Sequence, residues 1–311
     1  MDEQIKDLGK QLVWRPEIIN REQLETRTKF IVCGMGGSAL SASMLKVAEP
    51  KLDLLIHRDY GLPRVPDHFL NESLVILSSY SGNTAEVLDA GRESLELGLH
   101  LAVVTSGGKL LDWAKQNNLP YIVLPADSQP RMALGYFCKA LAILLGDSNL
   151  LATLGTTMIP STLLVATGET LANKLRNKIP VIYSSTSNYP LAYHWKISLN
   201  ETAKVSAFAN AFPELNHNEM QSQFDPDQFI FIFLRDDSDD PRIEDRLDKL
   251  KLLYERAGLE VEMVQITGAT VWGKIFHSVI LAEWTALHLA RMHDVDPESV
   301  PLIEEFKKSL A

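Results

Sequence analysis

Short apolar runs alternate with segments of helical hydrophobic spacing along the first part of the chain. The apolar runs are four to six residues long, are bounded by Gly, Pro, Ser or Asn, and show no polar–apolar alternation. This pattern is typical of strands that are covered on both faces in a parallel sheet. The predicted strands are 29–33, 52–57, 74–78, 101–105 and 121–124, with helical segments at 38–48, 85–97 and 110–117. The order predicts a doubly wound α/β domain.

The same order returns in the second half of the chain. Three further strands and a charged amphipathic helix are predicted, at 179–184, 228–234, 260–266 and 242–257 respectively. The join at 146–170 is rich in Leu and Ala and predicts a long connecting helix. We therefore expect two diverged copies of one unit, that is, two tandem doubly wound parallel-sheet domains at 1–150 and 151–311.

The overall charge limits the classes of partner. The chain has 311 residues, 30 of them Lys or Arg and 40 Asp or Glu, so its formal net charge is −10. Such a protein binds nucleic acid or an anionic membrane poorly by charge alone. We therefore expect neither of these partners. A small anionic ligand remains possible, because a pocket can be locally positive in an acidic protein.

Two features favour a cytoplasmic protein. The first ten residues carry five charges and no apolar run, so no signal peptide is expected. The apolar segment 270–291 contains Lys274, His277, Glu283 and His288, which favours a buried helix over a membrane span. That helix could form an internal core or the surface of a dimer. The two cysteines, Cys33 and Cys138, are expected to be buried free thiols.

A glycine-rich turn follows the first predicted strand and opens a helix. Its sequence, Gly-Met-Gly-Gly-Ser at 34–38, suits a sharp strand-to-helix turn, and the N–H groups of a helix start attract anions. With Ala39 it also fits the dinucleotide pattern G-x-G-x-x-A, and Asp59 lies 20 residues further on. A tight turn without a ligand, a dinucleotide site and another anion site all remain open.

A second polar loop follows the strand at 74–78. Its sequence, Ser-Ser-Tyr-Ser-Gly-Asn-Thr at 78–84, places several hydroxyl groups before a helix that begins near Ala85. The loop could simply be polar, with Thr84 as a helix N-cap. A dinucleotide-binding fold does not need this second loop, so the pair of loops favours a phosphorylated small molecule.

The two loops together resemble those of the sugar isomerase (SIS) domain. In that family they hold a sugar phosphate. The resemblance implies phosphate contacts from Ser79, Ser81 and Thr84, and a sugar site lined by Gly36, Gly37 and Ser38.

Polar residues are dense in two segments of the second half. The segment 194–204 contains one carboxylate, Glu201, and the sequence Pro-Glu-Leu-Asn-His-Asn-Glu at 213–219 contains His217. A glutamate on a helix is commonly solvated, and a histidine in a loop is commonly structural. Together with their neighbours, however, they resemble the bifunctional phosphoglucose/phosphomannose isomerase family.

The resemblance covers roughly residues 30–310. The motif at 213–219 matches throughout, and Asn-Glu-Thr at 200–202 matches with Thr202 in place of an asparagine. Arg131 lies in a segment that matches the family's arginine segment. The C-terminal segment matches up to Lys307, with Phe306 where the family usually has leucine.

The resemblance implies a cofactor-free aldose–ketose isomerase acting on glucose 6-phosphate, mannose 6-phosphate and fructose 6-phosphate. Glu201 would move the proton, His217 and Lys307 would open the sugar ring, and Arg131 would stabilise the enediolate. The family forms homodimers, with the histidine typically supplied by the partner chain. Two other functions stay open: a sugar-phosphate sensor without catalysis, and a dinucleotide-dependent oxidoreductase. An isomerase of another sugar phosphate is a further alternative.

No metal site is expected. The sequence has no His-Glu-x-x-His motif and no cysteine pair at zinc spacing. We interpret His288 and His293 as surface or capping residues.

Overall fold

The computed structural model describes residues 1–157 and 161–309, so the part of the predicted connecting helix at 158–160 lies outside the described residues. The chain divides into two compact units. The first comprises residues 7–158, and the second comprises 159–311 together with residues 1–6.

A five-stranded parallel sheet forms the centre of the first unit. Its strands are β1 Lys29–Gly34, β2 Leu54–His57, β3 Ser73–Ser79, β4 His100–Thr105 and β5 Tyr121–Val123. Their spatial order is β2-β1-β3-β4-β5, the flavodoxin-like order of doubly wound folds. Every strand prediction in this unit is confirmed to within two residues.

A four-stranded parallel sheet forms the centre of the second unit, in the order β7-β6-β8-β9. Its strands are β6 Ile179–Ser185, β7 Phe208–Phe212, β8 Phe229–Arg235 and β9 Glu260–Gln265. The order repeats that of the first four strands of the first sheet. The predicted fold class, two tandem doubly wound α/β domains, is therefore confirmed. The sequence reasoning missed β7, because this edge strand is short and half-exposed, and only its two terminal residues are large and apolar.

Twelve helices accompany the strands in the described part of the chain. They are α1 Asp2–Val13, α2 Gly36–Ala48, α3 Asp67–Glu72, α4 Ala85–Glu96, α5 Gly108–Gln116, α6 Leu134–Leu144, α7 Ser148–Gly155, α8 Val165–Leu175, α9 Tyr189–Glu201, α10 Pro241–Arg256, α11 Val271–Met292 and α12 Pro301–Ser309.

The join between the two halves corrects one expectation. A single connecting helix was predicted across 146–170, but α7 ends at Gly155 and a new 3-10 turn, Ser161–Leu164, precedes α8. The Thr153, Thr156 and Thr157 hydroxyls donate to backbone carbonyls three or four residues earlier. Such hydroxyls compete with the helical hydrogen bonds of the backbone, which is why Leu and Ala content alone misled the prediction.

An apolar core packs against one face of each sheet. In the first unit, alternate residues of β1, β3 and β4 pack against α4 and α5. Cys33 and Cys138 are buried free thiols, as predicted, and burial raises the pKa of the Cys33 thiol to about 12. In the second unit, aromatic residues of β6 and β8 pack against α10, with Tyr183 and Phe233 stacked at 5.5 Å between ring centroids.

Helix α11 is a core helix of the second unit. Fifteen of its 22 residues are buried, and it packs against α8 and α9. A Cβ on Gly168 would lie 2.6 Å from the Cβ of Trp284, so only glycine allows α8 to approach α11 this closely. The expectation of a buried helix is therefore confirmed, and the alternative that α11 forms a dimer surface is wrong. Among the described helices, none has the combination of length and apolar character needed to span a membrane.

Candidate functional site

The two polar loops of the first unit meet at one edge of its sheet. Strands β1 and β3 are parallel neighbours, and Gly34 is paired in register with Ser78. Both loops start at this point, at the carboxyl ends of the strands where the strand order reverses. Ligands of doubly wound folds bind at such a reversal point.

The glycine-rich turn is shaped by its glycines. Gly36 has φ +51°, a conformation that glycine adopts without strain. A Cβ on Gly37 would lie 2.9 Å from the carbonyl oxygen of Pro130 and 3.2 Å from the Cα of Arg131. The absence of a side chain at Gly37 therefore allows the segment with Arg131 to pack directly against the turn. Arg131 itself is only 5% exposed, so a buried cation lies beside the loops.

Hydroxyl groups link the two loops. The backbone N–H of Tyr80 donates to Ser38 Oγ at 3.3 Å, and Ser78 Oγ donates to the carbonyl oxygen of Ser38 at 3.3 Å. Ser79 Oγ lies 2.8 Å from Thr84 Oγ1 and also accepts a 3.1 Å hydrogen bond from the N–H of Gly82. These contacts fasten the polar loop to the glycine-rich turn and to itself.

The start of α4 is open to an anion. Thr84 occupies the N-cap position, but its hydroxyl bonds to Ser79 and makes no capping hydrogen bond. Thr84 is therefore at the N-cap position, as the alternative interpretation of the loop expected, but its hydroxyl does not cap the helix. The first N–H groups of a helix lack intrahelical partners and carry a partial positive charge. Ser81 is exposed beside them. Hydroxyls and a helix N-terminus together form a cradle suited to a phosphate group.

In the second unit, Glu201 is the last residue of α9 and is half-buried. Its carbonyl oxygen accepts a hydrogen bond from Lys204 Nζ. Thr202 is fully buried, and its hydroxyl has no hydrogen-bond partner among the described residues. The hydroxyl at the position where the family has asparagine therefore contributes no hydrogen bond of its own here.

His217 ends the 3-10 turn Glu214–His217 that follows β7, and its side chain is exposed. The motif around it is fastened through Glu219. Tyr183 Oη donates to Glu219 Oε1 at 2.6 Å, and Asn210 Nδ2 donates to Glu219 Oε2. Glu219, the last residue of the 213–219 motif, is thus held by Tyr183 and Asn210, while the imidazole of His217 stays on the surface.

The order of the elements places Glu201 and His217 of one chain at opposite ends of the strands of the second sheet. Helix α9 starts after the carboxyl end of β6 and runs back, so Glu201 lies toward the amino ends of the strands. Strand β7 then runs parallel to β6, and His217 follows its carboxyl end. The five residues of β7 make four steps along the strand, so these edges are about 13 Å apart at about 3.3 Å per step.

Helix α12 carries Lys307, and each of its described residues is exposed. Its apolar residues share this exposure, with Leu302 78% and Phe306 62% exposed. The helix therefore buries little of its surface against the rest of the described second unit.

The corresponding strand ends of the second unit are not a second phosphate cradle. There the carboxylate of Asp236 accepts hydrogen bonds from Lys274 Nζ at 2.5 Å, from Ser238 Oγ at 2.7 Å and from Asn188 Nδ2 at 3.3 Å. Burial raises the pKa of Asp236, but the bonds from Lys274 and Ser238 outweigh it and leave the pKa below its usual value. The carboxylate of Asp236 thus already accepts the hydrogen bonds that this edge of the sheet could donate to a phosphate.

A buried polar network lies between α9 and α11, and the sequence reasoning missed it. Ser198 Oγ donates to Glu283 Oε1 at 2.7 Å, and His194 Nε2 lies 3.2 Å from the same oxygen. All three side chains are almost fully buried. The signal was present in the sequence as a glutamate within an apolar helix.

Two histidines near the end of α11 occupy structural positions. His293 caps α11, as predicted, whereas His288 is half-buried and its ring lies 6.0 Å from that of Trp284. Among the described residues, no group of three or more His, Cys, Asp or Glu side chains is arranged to hold a metal ion.

Comparison with known proteins places this chain in a family. Residues 165–310 match the family model of the bacterial phospho-glucose isomerase C-terminal SIS domain. A bifunctional phosphoglucose/phosphomannose isomerase of Thermoplasma volcanium is 31% identical, over 91% of both chains. That of Caldicellulosiruptor bescii is 32% identical, over 91% of this chain and 89% of its own. The chain belongs to the bifunctional phosphoglucose/phosphomannose isomerase family. It is thus a member of a family of sugar-phosphate isomerases, as the sequence motifs predicted.

Other similar proteins extend the range of sugar phosphates. A D-glucosamine-6-phosphate 4-epimerase of Sulfolobus acidocaldarius is 31% identical over 70% of this chain and 72% of its own. Among solved structures, a hypothetical protein of Thermus thermophilus has a TM-score of 0.69 at 18% identity and covers 100% of this chain and 88% of its own. A glucosamine-6-phosphate deaminase of Thermotoga maritima has a TM-score of 0.67 at 18% identity, with 96% and 95% covered. The solved structures show the shared fold.

Proposed function

We propose that this protein interconverts glucose 6-phosphate and mannose 6-phosphate with fructose 6-phosphate, without a metal ion, through a cis-enediolate. The observation that carries the proposal is the hydroxyl cradle at the start of α4. Arg131 packs against the neighbouring glycine-rich turn, and the chain also has the family's glutamate and histidine motifs.

The cradle is the proposed phosphate site. Ser79, Ser81 and Thr84 would donate hydrogen bonds to the phosphate oxygens, together with the first N–H groups of α4. In binding, the Thr84 hydroxyl would exchange its 2.8 Å contact with Ser79 for a phosphate oxygen. Gly36, Gly37 and Ser38 would line the sugar beside the cradle, since glycine allows close approach of the backbone.

The proton transfer is assigned to Glu201. In the open-chain aldose its carboxylate would remove the proton from C2, and the C1 carbonyl would become the enediolate oxygen. The same carboxyl group would then return a proton to carbon C1, and the proton of the C2 hydroxyl would pass to the enediolate oxygen on C1, which gives the ketose. Arg131 would stabilise the negative charge that develops in the enediolate, which lowers the barrier most in a site shielded from water.

Ring opening is assigned to His217 and Lys307. An imidazole can move a proton between the anomeric hydroxyl and the ring oxygen, because both of its protonation states are accessible near neutral pH. Since Glu201 and His217 lie at opposite edges of the second sheet in one chain, we propose a homodimer in which the histidine acts on the partner's substrate.

The test is a product assay on protein treated with a chelator. With fructose 6-phosphate as substrate, we expect both glucose 6-phosphate and mannose 6-phosphate to form. Glu201→Gln should lower the rate ~10²-fold or more, as expected for the loss of a general base. Glu96→Gln is the matched control, because Glu96 is also the last residue of a helix and is exposed.

Two other functions have distinct outcomes in the same assay. Because one similar protein is a glucosamine-6-phosphate 4-epimerase, glucosamine 6-phosphate is included as a substrate, and its conversion alone would replace the proposal by epimerisation. If sugar phosphates raise the melting temperature but none is converted, the protein is a sensor and the isomerase proposal is wrong.

A further inference from the structure

Lys204 has a backbone conformation that is unusual for its residue type. It lies three residues beyond the end of α9 and has φ +59°. Every other described residue with positive φ is Gly, Asn or Asp, the types that adopt this conformation most easily. Lysine is strained here, and the strain is compensated only if its side chain makes contacts that glycine could not make.

The ammonium group of Lys204 joins two segments of the second unit. Nζ donates one hydrogen bond to the carbonyl oxygen of Glu201 and another, 2.6 Å long, to the carbonyl oxygen of Ser299. Glu201 ends α9, where exposed carbonyl groups attract a cation. Ser299 lies two residues before α12. One side chain therefore connects the end of the helix that carries Glu201 to the start of the helix that carries Lys307.

The segment before α12 is ordered around this contact. Asp296 Oδ1 accepts a 2.9 Å hydrogen bond from the N–H of Glu298, and the N-terminal ammonium of Met1 pairs with Glu298 at 2.6 Å. The N–H of Glu298, followed by other local donors and by the charge of Lys204, keeps the pKa of Asp296 below its usual value. Because all described residues of α12 are exposed, the direction of this helix is set by the segment from which it starts.

We propose that Lys204 is a positioning residue, which holds α12, and with it Lys307, in a fixed relation to Glu201. The inference rests on the proposed function, in which Glu201 moves the proton and Lys307 assists ring opening. Lys204 itself need not touch the substrate. Its loss should therefore reduce the turnover of ring-closed sugars and leave their binding by the phosphate cradle intact.

The test combines Lys204→Gly with Lys307→Ala. Glycine relieves the strain at φ +59°, so the variant should fold with an unchanged or higher melting temperature. We expect kcat for glucose 6-phosphate to fall about tenfold with KM within about twofold, and Lys204→Arg to keep most of the activity because it retains the donors. In the Lys307→Ala background, the further effect of Lys204→Gly should be less than about twofold, because coupled residues are not additive.

Asn177→Gly is the matched control. Asn177 is exposed, follows the end of α8 and has φ +61°, so the substitution repeats the backbone change without removing the hydrogen bonds of Lys204. If Lys204→Gly is as active as Asn177→Gly, the inference is wrong. An equal loss with and without Lys307 would also overturn it. Inactivity of the unsubstituted protein toward every sugar phosphate would instead show that the proposed function has failed.

Discussion

The hydroxyl groups of Ser79 and Thr84 lie 2.8 Å apart at the carboxyl end of β3, directly before α4. The contact turns a threonine that could have capped a helix into part of a preformed cradle. The contact lies where the strand order of the first sheet reverses, at the proposed phosphate site.

Removal of these hydroxyls should weaken substrate binding. In Ser79→Ala and Thr84→Val we expect KM for fructose 6-phosphate to rise about tenfold or more, because hydrogen bonds to a charged group contribute about 1.5–3 kcal/mol each. Inhibition by inorganic phosphate should weaken in parallel. Steady-state kinetics measures both values. Ser106→Ala removes a nearby hydroxyl that bonds to the carbonyl of Tyr80 and serves as a control. A rise in KM equal to that of the control would show that the cradle does not bind the phosphate.

The shape of the cradle depends on Gly82. It has φ +65°, and a Cβ there would lie 1.8 Å from the carbonyl oxygen of Gly107. Gly98 has a similar φ of +66°, and a Cβ added there would meet no other atom within 4 Å. Gly98→Ala should therefore cost only the backbone strain, about 1 kcal/mol. Gly82→Ala should cost at least about 1 kcal/mol more, because the loop must also move. Urea unfolding of the two variants compares them, and equal losses would argue against the close approach.

Stability should fall between neutral and mildly acidic pH, in part because of His277. This side chain is half-buried on α11, and burial lowers its pKa below the usual value. The unfolded chain therefore takes up the proton first as the pH falls. The stability gained by the neutral side chain is present above the unfolded-state pKa and is lost as the pH drops towards the folded-state pKa. His277→Gln should unfold with a shallower pH dependence below about pH 6.5. Exposed His68→Gln is the control, and an unchanged slope in His277→Gln would contradict the prediction.

The separation of Glu201 and His217 predicts complementation between chains. Mixed dimers of Glu201→Gln with His217→Ala should contain one intact site out of two. If subunits mix at random, activity should recover to about a quarter of that of the unsubstituted protein, because half of the dimers are mixed. Each variant alone stays inactive as its own control. A verified mixed dimer without activity would show that both residues act on one substrate from the same chain.

Local patterns predicted much of this architecture. The register of Gly34 with Ser78 follows from two apolar strands that each end in a polar loop, so the meeting of the loops was predictable. Strand β7 was not predicted, because it is a short edge strand whose two phenylalanines are separated by small residues and Asn210. Without β7, the sequence could not show that Glu201 and His217 lie at opposite ends of a strand.

Other features depend on tertiary contacts that sequence spacing does not encode. Gly37 and Arg131 are far apart in the sequence, and their contact arises from the packing of the Pro130 backbone on the turn. The predicted connecting helix stops after α7, where the Thr156 and Thr157 hydroxyls bond to backbone carbonyls of the preceding turn. Glu283 stands out in the sequence as a charge in an apolar helix, but its partners Ser198 and His194 follow only from the packing of α9 on α11.

The most direct test of the account follows the deuterium of [2-²H]glucose 6-phosphate in chelator-treated protein. If Glu201 moves the proton through an enediolate, part of the label should appear at C1 of fructose 6-phosphate and the rest should exchange with solvent. Glu201→Gln should form ~10²-fold less product. Complete transfer of the label without exchange, as in a hydride shift, or an undiminished rate in Glu201→Gln, would contradict the account.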